Sequence, residues 1–175
     1  MRVIGGEFRS RVLKSVPGLD TRPTPDRLRE TLFNILAPQI DGKTFLDAYA
    51  GTGAVGIEAL SRGATRAIFL EQSHGAIVVI RANLKSLGID GRAEVRQGRV
   101  SASLGKLPAD VVFLDPPYRL DHEYELALEL VGEQAPPLVI VQHDYRRKLK
   151  DQYGSLKLDR AVKQSDNVLS FYRGF

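Results

Sequence analysis

With 175 residues, 43% of them hydrophobic and 26% charged, the chain suits a single globular domain (1–175) that buries roughly 70% of its unfolded surface. The absence of cysteine excludes disulfides, thiolate zinc sites and a cysteine nucleophile, and no apolar run reaches the ~20 residues of a membrane span or resembles a signal peptide, so a cytoplasmic location with no membrane partner is expected. The formal charge of +4 and pI near 9.4 permit a nucleic-acid partner without requiring one.

The first 20 residues alternate loosely, with apolar points at Val3, Phe8, Val12 and Leu13 and a break at Gly5-Gly6, which predicts a short strand or hairpin. Three of the four net positive charges fall before Pro38. Arg2, Arg9, Arg11, Lys14 and Arg27 could thus form a phosphate-facing surface, with a merely solvated basic arm as the plain alternative. A helix is expected within 21–38, with Thr24 as its cap, Pro25 in the first turn and Asp26 at the positive end of the dipole. Leu28, Leu32, Ile35 and Leu36 give it one apolar face, and Pro38 ends the pattern.

From 43 to 175 short apolar runs alternate with helical stretches. Strands are expected at Thr44–Ala48, Ala67–Leu70, Ala93–Val95, Val111–Leu114 and Leu138–Val141, with helices at Ala54–Ser61, Gly75–Leu87 and His122–Val131. That order marks an α/β fold, a Rossmann-like, mostly parallel doubly wound sheet. Leu156–Val162 and Val168–Tyr172 flank Ser165-Asp166-Asn167 with no helix between them, so they should form a C-terminal antiparallel hairpin closing one edge.

Asp47-Ala48-Tyr49-Ala50-Gly51-Thr52-Gly53-Ala54-Val55-Gly56 falls where the first strand of this sheet meets its first helix. Gly51 and Gly53 there allow a sharp turn and close approach of backbone amides to a ligand at the strand ends. Glu71, at the end of the next strand, stands where a carboxylate accepts from ribose hydroxyls. Read literally, the glycine spacing is also the dinucleotide fingerprint. Asp47 argues against that reading, because a carboxylate repels a pyrophosphate but suits the cationic ammonium and sulfonium of S-adenosylmethionine.

The run Asp115-Pro116-Pro117-Tyr118 follows the fourth strand. An exocyclic base amine is a poor nucleophile because its lone pair is delocalised into the ring. Two acceptors aimed at its N–H bonds favour a pyramidal nitrogen, and the Asp115 side chain with the Pro116 carbonyl supplies such a pair, held in direction by Pro117. Tyr118 offers a stacking face for the base. His74, His122 and His143 show no ligand spacing, and no metal is expected.

Arg22 to Leu36 (RPTPDRLRETLFNIL), Leu46 to Ala64 (LDAYAGTGAVGIEALSRGA) and the Asp115 tetrapeptide together resemble the RsmD family of bacterial methyltransferases, which act on a guanine N2 in 16S ribosomal RNA. The resemblance implies a class I S-adenosylmethionine methyltransferase fold and 16S RNA as partner, within a small-subunit particle, for a monomeric enzyme. It implies that the segment with Arg22 and Thr24 folds over the methyl donor and that the basic hairpin helps hold RNA. Such enzymes commonly carry an acidic residue after the third strand to contact adenine. This chain has Gln97-Gly98-Arg99 there, so adenine is expected to meet backbone groups around Gln72 and Gly98. Three alternatives stand beside this reading: a DNA adenine N6 methyltransferase, a nicotinamide-dependent oxidoreductase and a non-catalytic RNA-binding protein.

Overall fold

A computed structural model describes residues 1–18 and 24–175. The central strands β1 (Thr44–Ala48), β4 (Val111–Leu114) and β5 (Leu138–Asp144) are apolar almost without interruption, because helices cover both faces of the sheet. With β2 (Arg66–Glu71), β3 (Ala93–Gln97), β6 (Gln152–Tyr153), β7 (Leu156–Gln164) and β8 (Asn167–Gly174) they form one eight-stranded sheet in the order β3-β2-β1-β4-β5-β8-β7-β6. The four pairings from β3 to β5 are parallel and the rest antiparallel, so the expected C-terminal hairpin packs against β5 rather than standing apart. The strand order reverses between β1 and β4, the crevice where open α/β sheets bind ligands.

One face carries α1 (Asp26–Leu36), α2 (Ala54–Ser61) and α3 (His74–Leu87). Leu32, Phe33, Ile57, Leu60, Ile80 and Leu84 pack there on Phe45, Phe69 and Phe113. The other face carries α4 (Val100–Ser103) and α5 (Asp121–Gln134), whose Val100, Tyr124, Leu128 and Val131 meet Leu46, Ile68, Val112 and Val139. The Ser73 side chain caps α3 by accepting from Ala76 N, and Gly88 closes it in the left-handed conformation.

The N-terminal ribbon is a hairpin joined by a single bridge, Arg2 to Val12, with Val3 and Leu13 buried in the core beside α1 and α3. Thr24 does not cap α1. Pro25 takes the cap position with extended backbone (φ −54°, ψ 142°) and no side-chain cap bond forms; the Thr24 hydroxyl is drawn instead to Gln142 Oε1, 3.3 Å away on β5. Three short elements carry too little periodicity to be expected from sequence: a 3₁₀ turn at Asp90–Arg92, the one-turn α4 and the two-residue β6.

Candidate active site

The loop after β1 is built around two carboxylates that hold backbone amides. Asp47, 2% exposed, accepts from Gly56 N at 2.8 Å. Glu71 accepts from Gly51 N (2.7 Å) through Oε2 and from Gln72 N (2.8 Å) and Ser73 N (2.9 Å) through Oε1. Glu71 thus staples the glycine loop to the end of β2, and only part of its acceptor capacity remains for a ribose. Gly51 adopts φ +58° beside open space, so its glycine answers to backbone conformation. Gly56 answers to packing: a Cβ there would lie 2.4 Å from the Phe69 ring.

Asp115 extends β4 on the same sheet face as Asp47, two residues beyond its register partner Phe113. Burial pushes Asp115 up to about 7. Burial also pushes Asp47 well above the usual carboxylate range, opposed by the Gly56 hydrogen bond and reinforced by the charges of Asp115 and Glu71. The charges of Asp115 and Glu71 therefore add to the cost of ionising Asp47 at the β1/β4 crevice. A cationic ligand relieves that cost and a pyrophosphate would add to it. The donor set fits S-adenosylmethionine.

The rest of the tetrapeptide is held from behind. Tyr124 Oη, on α5, donates to the Pro116 carbonyl at 3.0 Å, fixing its direction and leaving one lone pair for another donor. Tyr118 donates from its hydroxyl to Asn167 Oδ1 (2.8 Å), and its carbonyl accepts from Arg147 Nη2 (3.2 Å). Arg147 lies over the Tyr124 ring, 4.0 Å from its centroid, and also pairs with Asp121 at 2.6 Å. The loop's backbone is thus set by α5, the segment after β5 and the start of β8.

The structure brings together Asp47, Gly51, Gly53 and Glu71, with Gln72 and Gly98 at the same strand ends: Gly98 N donates to the Glu71 carbonyl at 3.0 Å. Arg22 lies outside the described residues. Arg2, Arg9, Arg11, Lys14 and Arg27 are all exposed, and Arg2 and Arg11 each donate to a carbonyl, of Ser10 (2.8 Å) and Ser86 (3.0 Å). His143 is buried and satisfied, with Nδ1 at 2.9 Å from the Asp144 carbonyl and Nε2 at 2.8 Å from Ser170 Oγ, and burial lowers its pKa. Among the described residues no cluster of three or more histidine and acidic side chains could hold a metal, and no helix is long and apolar enough to cross a membrane.

Sequence reasoning missed Tyr124, Arg147 and Asn167, which orient the tetrapeptide, and two residues that dock the basic ribbon. Buried Glu58 accepts from Ile4 N (2.9 Å), Gly5 N (2.8 Å) and Arg62 Nε (2.9 Å). Buried Asn83 accepts from Lys14 N (2.7 Å) and donates to the carbonyls of Lys14 and Thr52, both at 3.2 Å, tying the ribbon to the cofactor loop. Only Arg147 left a trace in the sequence, as part of the basic run Arg146-Arg147-Lys148 after an apolar strand.

The family model described as Conserved hypothetical protein 95 matches residues 1–173. Ribosomal RNA small subunit methyltransferase D of Haemophilus influenzae is 38% identical over 138 residues, 76% of this chain and 71% of that protein. A provisionally named methyltransferase of Escherichia coli, yhhF, has a solved structure that superposes with a TM-score of 0.84 at 34% identity, covering 99% of this chain and 97% of that one. An RNA methyltransferase from Salinibacter ruber, solved in complex with S-adenosyl-L-homocysteine, shares the fold at a TM-score of 0.67 and 20% identity over 86% of this chain and 92% of its own.

Proposed function

Because the chain belongs to the RsmD family of methyltransferases, matching its family model over residues 1–173, we propose that it transfers a methyl group from S-adenosylmethionine to the N2 amine of a guanine in 16S ribosomal RNA. The observation that supports this reading is the succession of two acceptors at the end of β4, the Asp115 carboxylate and the Pro116 carbonyl that Tyr124 holds, beside a crevice where buried Asp47 favours a cation.

When bound, the donor supplies an electrophilic methyl group on a cationic sulfur. Asp47 and Glu71 hold the loop that receives it, through the amides of Gly56 and Gly51. Asp115 and the Pro116 carbonyl accept the two N–H bonds of the amine and turn its lone pair toward the methyl carbon. With the donor bound, the positive charge that would build on the nitrogen as it takes the methyl group would face Asp115. That nitrogen then loses one proton. Tyr118, anchored through Asn167 and Arg147, presents its ring to the base. The exposed cations Arg9, Arg11 and Lys14 lie on a ribbon that Asn83 fastens to the donor loop, so RNA held there is registered to the donor.

Calorimetric titration tests the donor half of this reading. S-adenosylmethionine and S-adenosylhomocysteine should bind and NAD should not; binding of NAD alone would overturn it.

A further inference from the structure

A cleft of about 670 Å³ lies beside the proposed target site, opposite the side where the donor loop approaches. Tyr118 and Asp121 form one wall, Asp144, Arg146, Arg147, Lys148 and Leu149 another, and Asp166 and Asn167 the end. Its volume falls within the range of small-ligand sites. Whatever fills it touches Tyr118 from outside the reacting centre.

The charges in this cleft are already sorted. Asp144 is paired with Arg146 (2.8 Å), Asp121 with Arg147 (2.6 Å) and Glu125 with Lys150 (2.9 Å), which leaves Asp166 at the end of the cleft as its one acid outside these pairs. Lys148 and Arg119 are exposed, and neither has an acidic partner among the described residues. Tyr145, between the cleft residues Asp144 and Arg146 in the chain, is 47% exposed, and its backbone is fixed by the bond from its N–H to the Asp166 carbonyl (2.9 Å). Lys163 Nζ stands 4.5 Å and Arg146 Cζ 5.7 Å from the centre of its ring. An exposed aromatic ring on a fixed backbone, flanked by cations on flexible stems, is the arrangement that stacks an unpaired base and meets its phosphates.

We infer that the edge of this cleft is a second nucleotide subsite, in which an unpaired RNA nucleotide adjoining the target guanine stacks on Tyr145, just outside the lining residues, while its phosphate meets Lys148 in the cleft. The inference rests on the amine-methylation reading and adds to it a requirement: the target lies in single-stranded RNA, because a paired neighbour could not turn its base onto Tyr145.

The test uses the full chain and small ribosomal subunits reconstituted on synthetic 16S RNA that lacks the modification. Tyr145→Ala should raise the KM for RNA by about five- to hundredfold, the factor that loss of one stacked base implies, with kcat and donor affinity unchanged; Tyr145→Phe should restore it. Lys148→Gln should lower the log–log salt slope of RNA binding by about 0.7 to 0.9. An abasic nucleotide next to the target guanine, on its 5′ or its 3′ side, should cost the wild type the same factor as Tyr145→Ala and cost Tyr145→Ala nothing more. If Tyr145→Ala leaves the KM unchanged, or neither abasic RNA is impaired, the subsite is wrong while the methylation reading stands. If the wild-type chain methylates no RNA, the methylation reading fails and takes the subsite with it.

Discussion

In the proposed reaction Asp115 faces two opposite demands: it is to accept the target amine in its ionised form, and burial resists that ionisation, pushing it up to about 7. The consequence for activity is a rate that rises with pH. With donor limiting, kcat/KM should climb as pH passes through about 7 in the wild type. Asp115→Asn, which keeps one carbonyl acceptor, should flatten that limb, and Asp115→Ala should lose roughly a hundred- to thousandfold in single-turnover transfer. The consequence for stability has the opposite sign. A folded-state value above the unfolded one contributes stability that is full below pH 4 and is lost as pH rises through 7. Asp115→Asn should therefore stabilise the ligand-free protein at pH 8 by up to about 4 kcal/mol and do little at pH 4, as thermal melts at the two pH values would show. Asp47, Gly51, Glu71 and Asp115 were legible in the sequence because each stands at a fixed offset from a strand end. Tyr124, Arg147 and Asn167 were not, because they reach the loop through the folded chain, Asn167 from 49 residues beyond Tyr118. Glu71 is a case between the two. Its place was readable, but its grip on three backbone amides was not. Glu71→Ala should accordingly weaken donor binding by about 1–3 kcal/mol, and it should loosen the Gly51 loop as well, which amide exchange at Gly51 would report.

The N-terminal ribbon is the element whose role the sequence disclosed least. Its loose alternation predicted a hairpin, and a hairpin with one bridge is what forms. Besides the backbone bonds between its arms, such as Val3 N to the Arg11 carbonyl (3.0 Å) and Leu13 N to the Met1 carbonyl (2.9 Å), the hairpin is held by Glu58 and Asn83, polar residues buried in helices that bond to backbone groups of the ribbon. Glu58→Ala would leave the amides of Ile4 and Gly5 without an acceptor and should cost about 3 kcal/mol in urea unfolding. Asn83→Ala should raise the KM for RNA while the isolated donor affinity changes less. Helix α1 shows the same limit at a smaller scale. Thr24-Pro25-Asp26 has the composition of a helix start, but the Thr24 hydroxyl finds Gln142, 118 residues away, and the cap position passes to Pro25. The strands and helices of the core were legible nearly to the residue, β1, β4 and α2 among them, because their apolar periods are long and tertiary contacts agree with them.

Across the whole molecule the alternation of strand and helix was enough to give the doubly wound sheet, and the missing helix between the last two strands gave the antiparallel edge. The excess of positive charge lies toward the N-terminus, and a second group of cations, Arg146, Arg147 and Lys148, follows β5. RNA affinity should fall steeply with salt, and neutralising Arg9, Arg11 and Lys14 together should reduce the log–log slope by about 2 to 3 while donor binding survives. Filter binding over a salt series would check it; an unchanged slope would remove the ribbon from the RNA surface. The central claim is that these parts act together on one base. Labelled methyl from S-adenosylmethionine should be transferred by the purified chain to small ribosomal subunits that lack the modification, and nucleoside analysis should place the label in N2-methylguanosine of 16S RNA. Label in N6-methyladenosine, or none in RNA at all, would contradict the account.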